Sequence, residues 1–335
     1  MCGAGLDTPR PKRLTRGVSS TASSPGSPWL YAVKPASWPK LLVPAALGQA
    51  MGLASTGHLD PLGLVLGLMF TLADGVAIVL LNDWGDREVD AIKRRMFPDG
   101  CSPKTIPDGI LPARALLVAG LGAALATLVV GALGAAHAAR PELALLAGLA
   151  VAIFGAYTFP PLALNYRGGG ELLEALGVGV VLPWVNALFQ GGPAWSPLYA
   201  AVLPGAALLA LASALASGLS DEESDRAGGK RTFTTALGNT AVRRATLGAL
   251  ALGALAWAVG GALAGGPTLA VVAPSLALLA LHGRAVARAS DAAVTNAFAA
   301  QARFKGHLHR ALWDASLALA VLLGARGVWL GGGAR

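Results

Sequence analysis

PLGLVLGLMFTLADGVAIVLLNDWGDREVD, residues 61–90, is apolar from its start to Leu81 apart from Asp74, and then turns acidic within one helical turn. A helix needs roughly 20 apolar residues to cross the hydrocarbon layer, so the first two thirds reads as a membrane span and the last third as its exit into water. The pattern recurs. Apolar runs lie near 38–57, 62–82, 112–136, 142–162, 172–190, 197–219, 242–264, 267–285 and 311–331. The eighth is the weakest, since Thr268 to Leu281 is short before His282 and Arg284 intervene. In lipid the backbone must satisfy its own hydrogen bonds, so the expected fold is an all-α polytopic membrane protein, a bundle of about nine transmembrane helices. Abundant small residues, among them 44 glycines, let such helices approach closely.

Composition agrees. The 335 residues are 54% hydrophobic and 13% charged, against about 25% charged in soluble domains. The net charge of +8 invites a nucleic-acid reading, but its placement argues against one. With the N-terminus inside and nine spans, only Arg140, Arg326 and Arg335 of the 26 Lys and Arg fall outside. This is the positive-inside bias. It puts the protein in a membrane, the bacterial cytoplasmic membrane for choice, with the active site open to the cytoplasm. No obligate protein partner is implied. Residues 1–28 are rich in Ser, Pro and Arg without an apolar run, and read as a disordered tail before a transmembrane domain over 29–335. Cys2 and Cys101 have no metal-type spacing.

Two inside loops carry the chemistry. Asn82, Asp86 and Asp90 are spaced i, i+4, i+8, so a continuing helix puts them on one face, with Asp83 at its border. Asp221 and Asp225, at the end of the sixth span, repeat the i, i+4 spacing. Like charges at that spacing repel, and the repetition at two membrane exits asks for a cation. Carboxylate and amide oxygens suit Mg²⁺, which completes its octahedron with water and substrate phosphate. Lys93, Arg94, Arg95 and Lys104 follow the first cluster, and Arg226, Lys230 and Arg231 follow the second. Acid and base together suit a diphosphate. Either cluster alone reads more readily as a solvated loop; the pair reverses that and favours metal-assisted phosphate binding.

At these residues the chain resembles the UbiA superfamily of intramembrane prenyltransferases, whose Asp-rich motifs N-D-x-x-D-x-x-x-D and D-x-x-x-D stand here as NDWGDREVD (82–90) and DEESD (221–225). The resemblance runs from Trp29 to the C-terminus. DRAGGKRTFTTALG (225–238), YTFPPLALNYRGGGE (157–171) and the loop Lys104–Gly109 are similar to the menaquinone-type branch, although the loop from Ala91 to Pro103 is longer and more basic than that branch's pattern. The resemblance implies Mg²⁺-dependent transfer of a prenyl chain from a prenyl diphosphate to an aromatic, quinone-precursor-like acceptor. It implies that Asn82, Asp86, Asp90, Asp221 and Asp225 hold two Mg²⁺, assisted by Asp83. Lys34, Lys104, Arg226, Lys230 and Arg231 would bind the diphosphate. Asp86, Asp221, Lys230 and Tyr157 would be catalytic.

Two polar residues inside spans remain. Asp74 lies eight residues before Asn82 and points the same way, two turns deeper. An intramembrane Asp faces a cavity or a partner, so Asp74 is expected to line an acceptor pocket, or else to hydrogen-bond another helix. Asn186 is a weaker candidate for the same pocket. The rival functions are a transferase with a non-aromatic acceptor (a lipid glycerol phosphate, a phosphorylated sugar or a chlorophyll-like macrocycle) and a cation-coupled transporter. Transporters gather polar groups at the midplane, whereas these acids gather at one surface.

Overall fold

The computed structural model describes residues 27–99 and 104–332. The tail expected over 1–28 falls outside them but for Ser27 and Pro28, which open the first helix with the Ser27 hydroxyl as its cap. The described residues form helices α1 (Pro28–Ala32), α2 (Pro39–Thr56), α3 (Pro61–Gly85), α4 (Arg87–Met96), α5 (Ala113–Ala138), α6 (Pro141–Thr158), α7 (Leu164–Arg167), α8 (Gly170–Leu176), α9 (Leu182–Phe189), α10 (Pro197–Gly218), α11 (Glu222–Ala227), α12 (Phe233–Leu237), α13 (Asn239–Leu263), α14 (Gly266–Ser290) and α15 (Phe298–Gly332).

Eight of the expected runs become helices long and apolar enough to cross a membrane, α8 and α9 counting as one. The run near 38–57 is helical too, as the 18-residue α2, but Lys40, Gln49, Pro39 and Pro44 dilute it and it falls short of that measure. The eighth run proves stronger than its sequence implied. His282 and Arg284 do not end it, and α14 continues to Ser290 over 25 residues.

The long helices close a ring. α3 packs on α5, α5 on α6, α6 on α8, α8 on α10, and α10 on α13; the circle runs on through α14 and α15 to α2, which meets α3. α9 stands inside against α2. One core, around Trp257, Tyr199 and Phe304, joins α10, α13, α15 and α2, and a second, around Phe70 and Phe189, joins α3, α6 and α9. Trp257 donates its ring N–H to Val202 O at 2.9 Å, so the indole is both buried and satisfied. Large apolar residues such as Val118, Leu125, Leu145 and Val321 are exposed on the outside of the ring, where a bilayer would cover them. A π-helical turn, Gly177–Val181, joins α8 to α9. Such turns widen a helix and recur at functional sites; here Gly177 and Val178 face the cavity enclosed by the ring.

Candidate active site

The cavity measures about 360 Å³ and takes its walls from α2, α3, α4, α6, α8, α10 and α11. Asn82, Asp83, Asp86, Asp90, Asp221 and Asp225 all line it. The geometry behind the first cluster is the one its spacing predicts. α3 ends at Gly85 and α4 starts at Arg87, yet Asp86 N–H still donates to Asn82 O and Asp90 N–H to Asp86 O, each at 2.8 Å. The helical register therefore carries across the break. In the second cluster Asp225 N–H donates to Asp221 O at 2.8 Å, which puts both carboxyls one turn apart at the cavity.

Lysines meet these acids. Lys230 Nζ is 3.0 Å from Asp86 Oδ2, Lys104 Nζ 2.5 Å from Asp90 Oδ1, and Lys34 Nζ 2.5 Å from Asp83 Oδ1. Lys93 pairs with Asp221, joining α4 to the second cluster. Asn165 donates to Asp86 Oδ1 at 3.2 Å, and Thr105 donates to Asp83 Oδ2 at 2.8 Å. Lys34 has a left-handed backbone (φ 46°), rare for a residue with a side chain, at the turn that directs its ammonium to Asp83. Asp108 braces the loop that delivers Lys104, accepting hydrogen bonds from Lys104 N–H (2.9 Å), Arg94 (2.6 Å) and Tyr31 (2.8 Å).

Burial sets the electrostatics. It pushes Asp90 above the usual carboxylate range although Lys104 opposes it, and it pushes Asp225 up to about 7 against Lys230. Burial works against the charge on Lys104 and Lys230, but the carboxylates around them, led by Asp90 for Lys104 and by Asp86 for Lys230, together outweigh it, and both ammonium groups are raised. Asp225 is 4% exposed, and no described residue donates a hydrogen bond to its carboxyl. Among the described residues no three His, Cys, Asp or Glu side chains are grouped so as to hold a metal ion. The carboxylate and amide oxygens that line the cavity are of the type that binds Mg²⁺ together with water and phosphate.

Two of the expected diphosphate ligands lie elsewhere. Arg226 follows Asp225 by one residue on α11, which turns it off the cavity face, and it pairs with Glu222 at 3.1 Å. Arg231 follows Lys230 in an extended stretch, where it bridges to Arg167. Alternate side chains of an extended chain point apart, so Lys230 is buried in the cavity wall and Arg231 is exposed. Tyr157 lines the cavity, its ring stacked on Phe154 at 6.0 Å and 17°.

Asn186 is absent from the cavity wall. Its side chain accepts from Gln49 (2.9 Å) and donates to Thr71 (3.2 Å) and Leu182 O (3.0 Å), tying α2, α3 and α9 together. Asn186→Leu is expected to lower stability by about 1–2 kcal/mol, the worth of such interhelical bonds, while leaving the Michaelis constants unchanged. Thermal midpoint and steady-state kinetics on the same preparation check both halves.

Four cavity residues escaped the sequence reading as specific ligands. Lys93 had a usable signal, standing three residues after Asp90 and seven after Asp86 on the same face of α4. Asn165, Lys40 and Glu174 had none. The loop after α6 brings Asn165 to Asp86, and the ring closure brings Lys40 of α2 to Glu174 of α8, where they form an ion pair.

Comparison with known proteins matches residues 41–307 to the UbiA prenyltransferase family. Among solved structures, a UbiA homologue from Archaeoglobus fulgidus bound to GPP and Mg²⁺ superposes with a TM-score of 0.65 at 19% identity, over 88% of this chain and 100% of that one. The same homologue bound to DMAPP and Mg²⁺ gives 0.65 at 20% identity, over 88% and 99%. A UbiA homologue from Aeropyrum pernix K1 gives 0.59 at 18% identity, over 87% and 97%. These likenesses speak for the fold. No curated protein matches the sequence significantly. The family match spans most of the chain, over the helices that build the cavity, and the chain therefore belongs to the UbiA prenyltransferase family as an all-helical membrane prenyltransferase.

Proposed function

We propose that this protein transfers the prenyl chain of a prenyl diphosphate to an aromatic acceptor inside the cavity, with Mg²⁺ held by Asn82, Asp86, Asp90, Asp221 and Asp225 and with Asp83 beside them. The observation that carries it is the convergence of both acidic clusters and four lysines on one cavity. Asp225, buried with no hydrogen bond to its carboxyl from a described residue, fits a cation that the protein does not supply itself. The related structures bound to Mg²⁺ with GPP or DMAPP support the assignment of metal and donor.

When bound, Mg²⁺ supplies Lewis-acid stabilisation of the leaving diphosphate. Lys34, Lys93, Lys104 and Lys230 neutralise charge as the bond from the allylic carbon to the diphosphate oxygen breaks, its electron pair leaving with the oxygen. The apolar wall, including Ile78, Val79, Ile153 and Leu182, keeps water from the cation-like carbon. The acceptor carbon then bonds to that carbon, and its proton passes to the released diphosphate. The stacked pair Phe154 and Tyr157 offers a flat face to a ring, which favours an aromatic acceptor over a lipid glycerol phosphate. A quinone precursor of the menaquinone type is the finer reading. The Lys and Arg that flank both clusters would face the cytoplasm.

The test incubates purified protein with labelled prenyl diphosphates of several lengths and a panel of acceptors. Diphosphate release is expected with Mg²⁺, is expected to stop on chelation, and is expected to return when Mg²⁺ is restored. Release under no combination overturns the proposal, and a preference for phosphorylated non-aromatic acceptors overturns its acceptor half.

A further inference from the structure

Among the described residues, the cavity wall holds one carboxyl that neither the donor chemistry nor another protein group engages. Asp74 stands on α3 eight residues before Asn82, hence about 12 Å deeper along the helix at 1.5 Å per residue. It lines the same cavity and is 7% exposed. No described residue hydrogen-bonds to it or pairs with it. The interhelical hydrogen bond that its position in a span allows is therefore not made. The neighbouring intramembrane polar groups, Gln49, Thr71 and Asn186, satisfy one another. The other cavity carboxyls are engaged: Asp83, Asp86, Asp90 and Asp221 by lysines, Glu174 by Lys40, Glu171 by the Phe233 N–H at 2.8 Å, while Asp225 has Lys230 as its neighbour. A lone acid at this depth is costly to hold in a membrane, and a hydrogen bond to a ligand is what would offset it.

We infer that Asp74 binds the acceptor, which presents an O–H or N–H donor to this carboxyl. The inference rests on the donor reading above and adds the acceptor's polarity to it. Placement on the face of α3 shared with Asn82 puts the acceptor between the carboxyl and the diphosphate end of the cavity.

The experiment measures binding of 1,4-dihydroxynaphthalene and of its 2-carboxylate to wild type, Asp74→Asn and Asp74→Ala. The protein is loaded with Mg²⁺ and a thiolodiphosphate analogue of GPP that does not react. Affinity for the analogue and the thermal midpoint are recorded for each variant. The expected result is binding of the dihydroxy ring by wild type, at least tenfold weaker in both variants, with the affinity for the analogue unchanged. Equal affinity for both rings in all three proteins overturns the inference, as does a wild type that binds neither ring. In all of these the analogue still binds and the donor reading stands. Failure of wild type to bind the analogue overturns the donor reading and this inference with it.

Discussion

Asp86→Ala and Asp221→Ala are each expected to lower diphosphate release by about 10²–10³-fold, the usual cost of removing one preorganised electrostatic group from an active site. Asp86 is 9% exposed and receives both Lys230 and Asn165. Its loss removes a carboxylate from the proposed metal site and leaves the Lys230 ammonium, 8% exposed, facing no hydrogen-bonded partner. Asp221 plays the equivalent part across the cavity, since Lys93 of α4 reaches it. Its removal uncouples the two clusters as well as deleting an oxygen ligand. Single-turnover assays at saturating Mg²⁺, paired with a thermal melt, separate loss of chemistry from loss of folding. Retained turnover in both variants would refute the assignment of the clusters to the donor site.

The second large effect is structural. A Cβ added at Gly48 would lie 2.1 Å from Pro183 O and 2.7 Å from the Pro183 Cα and carbonyl carbon. These are backbone atoms of α9 and cannot turn aside as a side chain would. At Gly52 the same addition meets Ala187 O at 2.4 Å. Gly48→Ala is therefore expected to force α2 away from α9 and to cost about 2–3 kcal/mol, the upper part of the range for overpacking. In detergent this should appear as a clear drop in thermal midpoint. Gly148→Ala is the control: it sits in α6 with nothing within 4 Å of its new Cβ. There the gain in helix propensity of about 1 kcal/mol acts alone. An unchanged midpoint in Gly48→Ala would mean that the close packing of α2 on α9 is not what holds the inner helix.

How much of this was legible in the chain varies by element, for physical reasons. Span positions are local properties, readable from run length, and they match the helices closely. The exceptions are instructive. α14 keeps its helix past His282 and Arg284 because a charged side chain at a span end can reach water without breaking the backbone. The i, i+4 spacings in 82–90 and 221–225 are likewise local, and they bring their acids to one cavity despite the helix break at Asp86. Arg226 and Arg231 were misplaced because adjacency to an active residue says nothing about direction: one residue further along a helix or an extended strand is a different face.

The chain alone was enough to establish a helical membrane protein and the two acidic motifs of a prenyltransferase, since both depend on spacings of eight residues or fewer and on unbroken apolar runs. Folding in three dimensions was needed to pair Lys93 with Asp221 and Lys40 with Glu174, to engage Asn186 between helices, and to leave Asp74 in the cavity wall without a partner among the described residues. Each of those outcomes depends on which helices meet when the ring closes. Apolar runs rich in Ala, Gly and Leu look alike along the chain, so their neighbours are chosen by close backbone approach at positions such as Gly48 and Gly52.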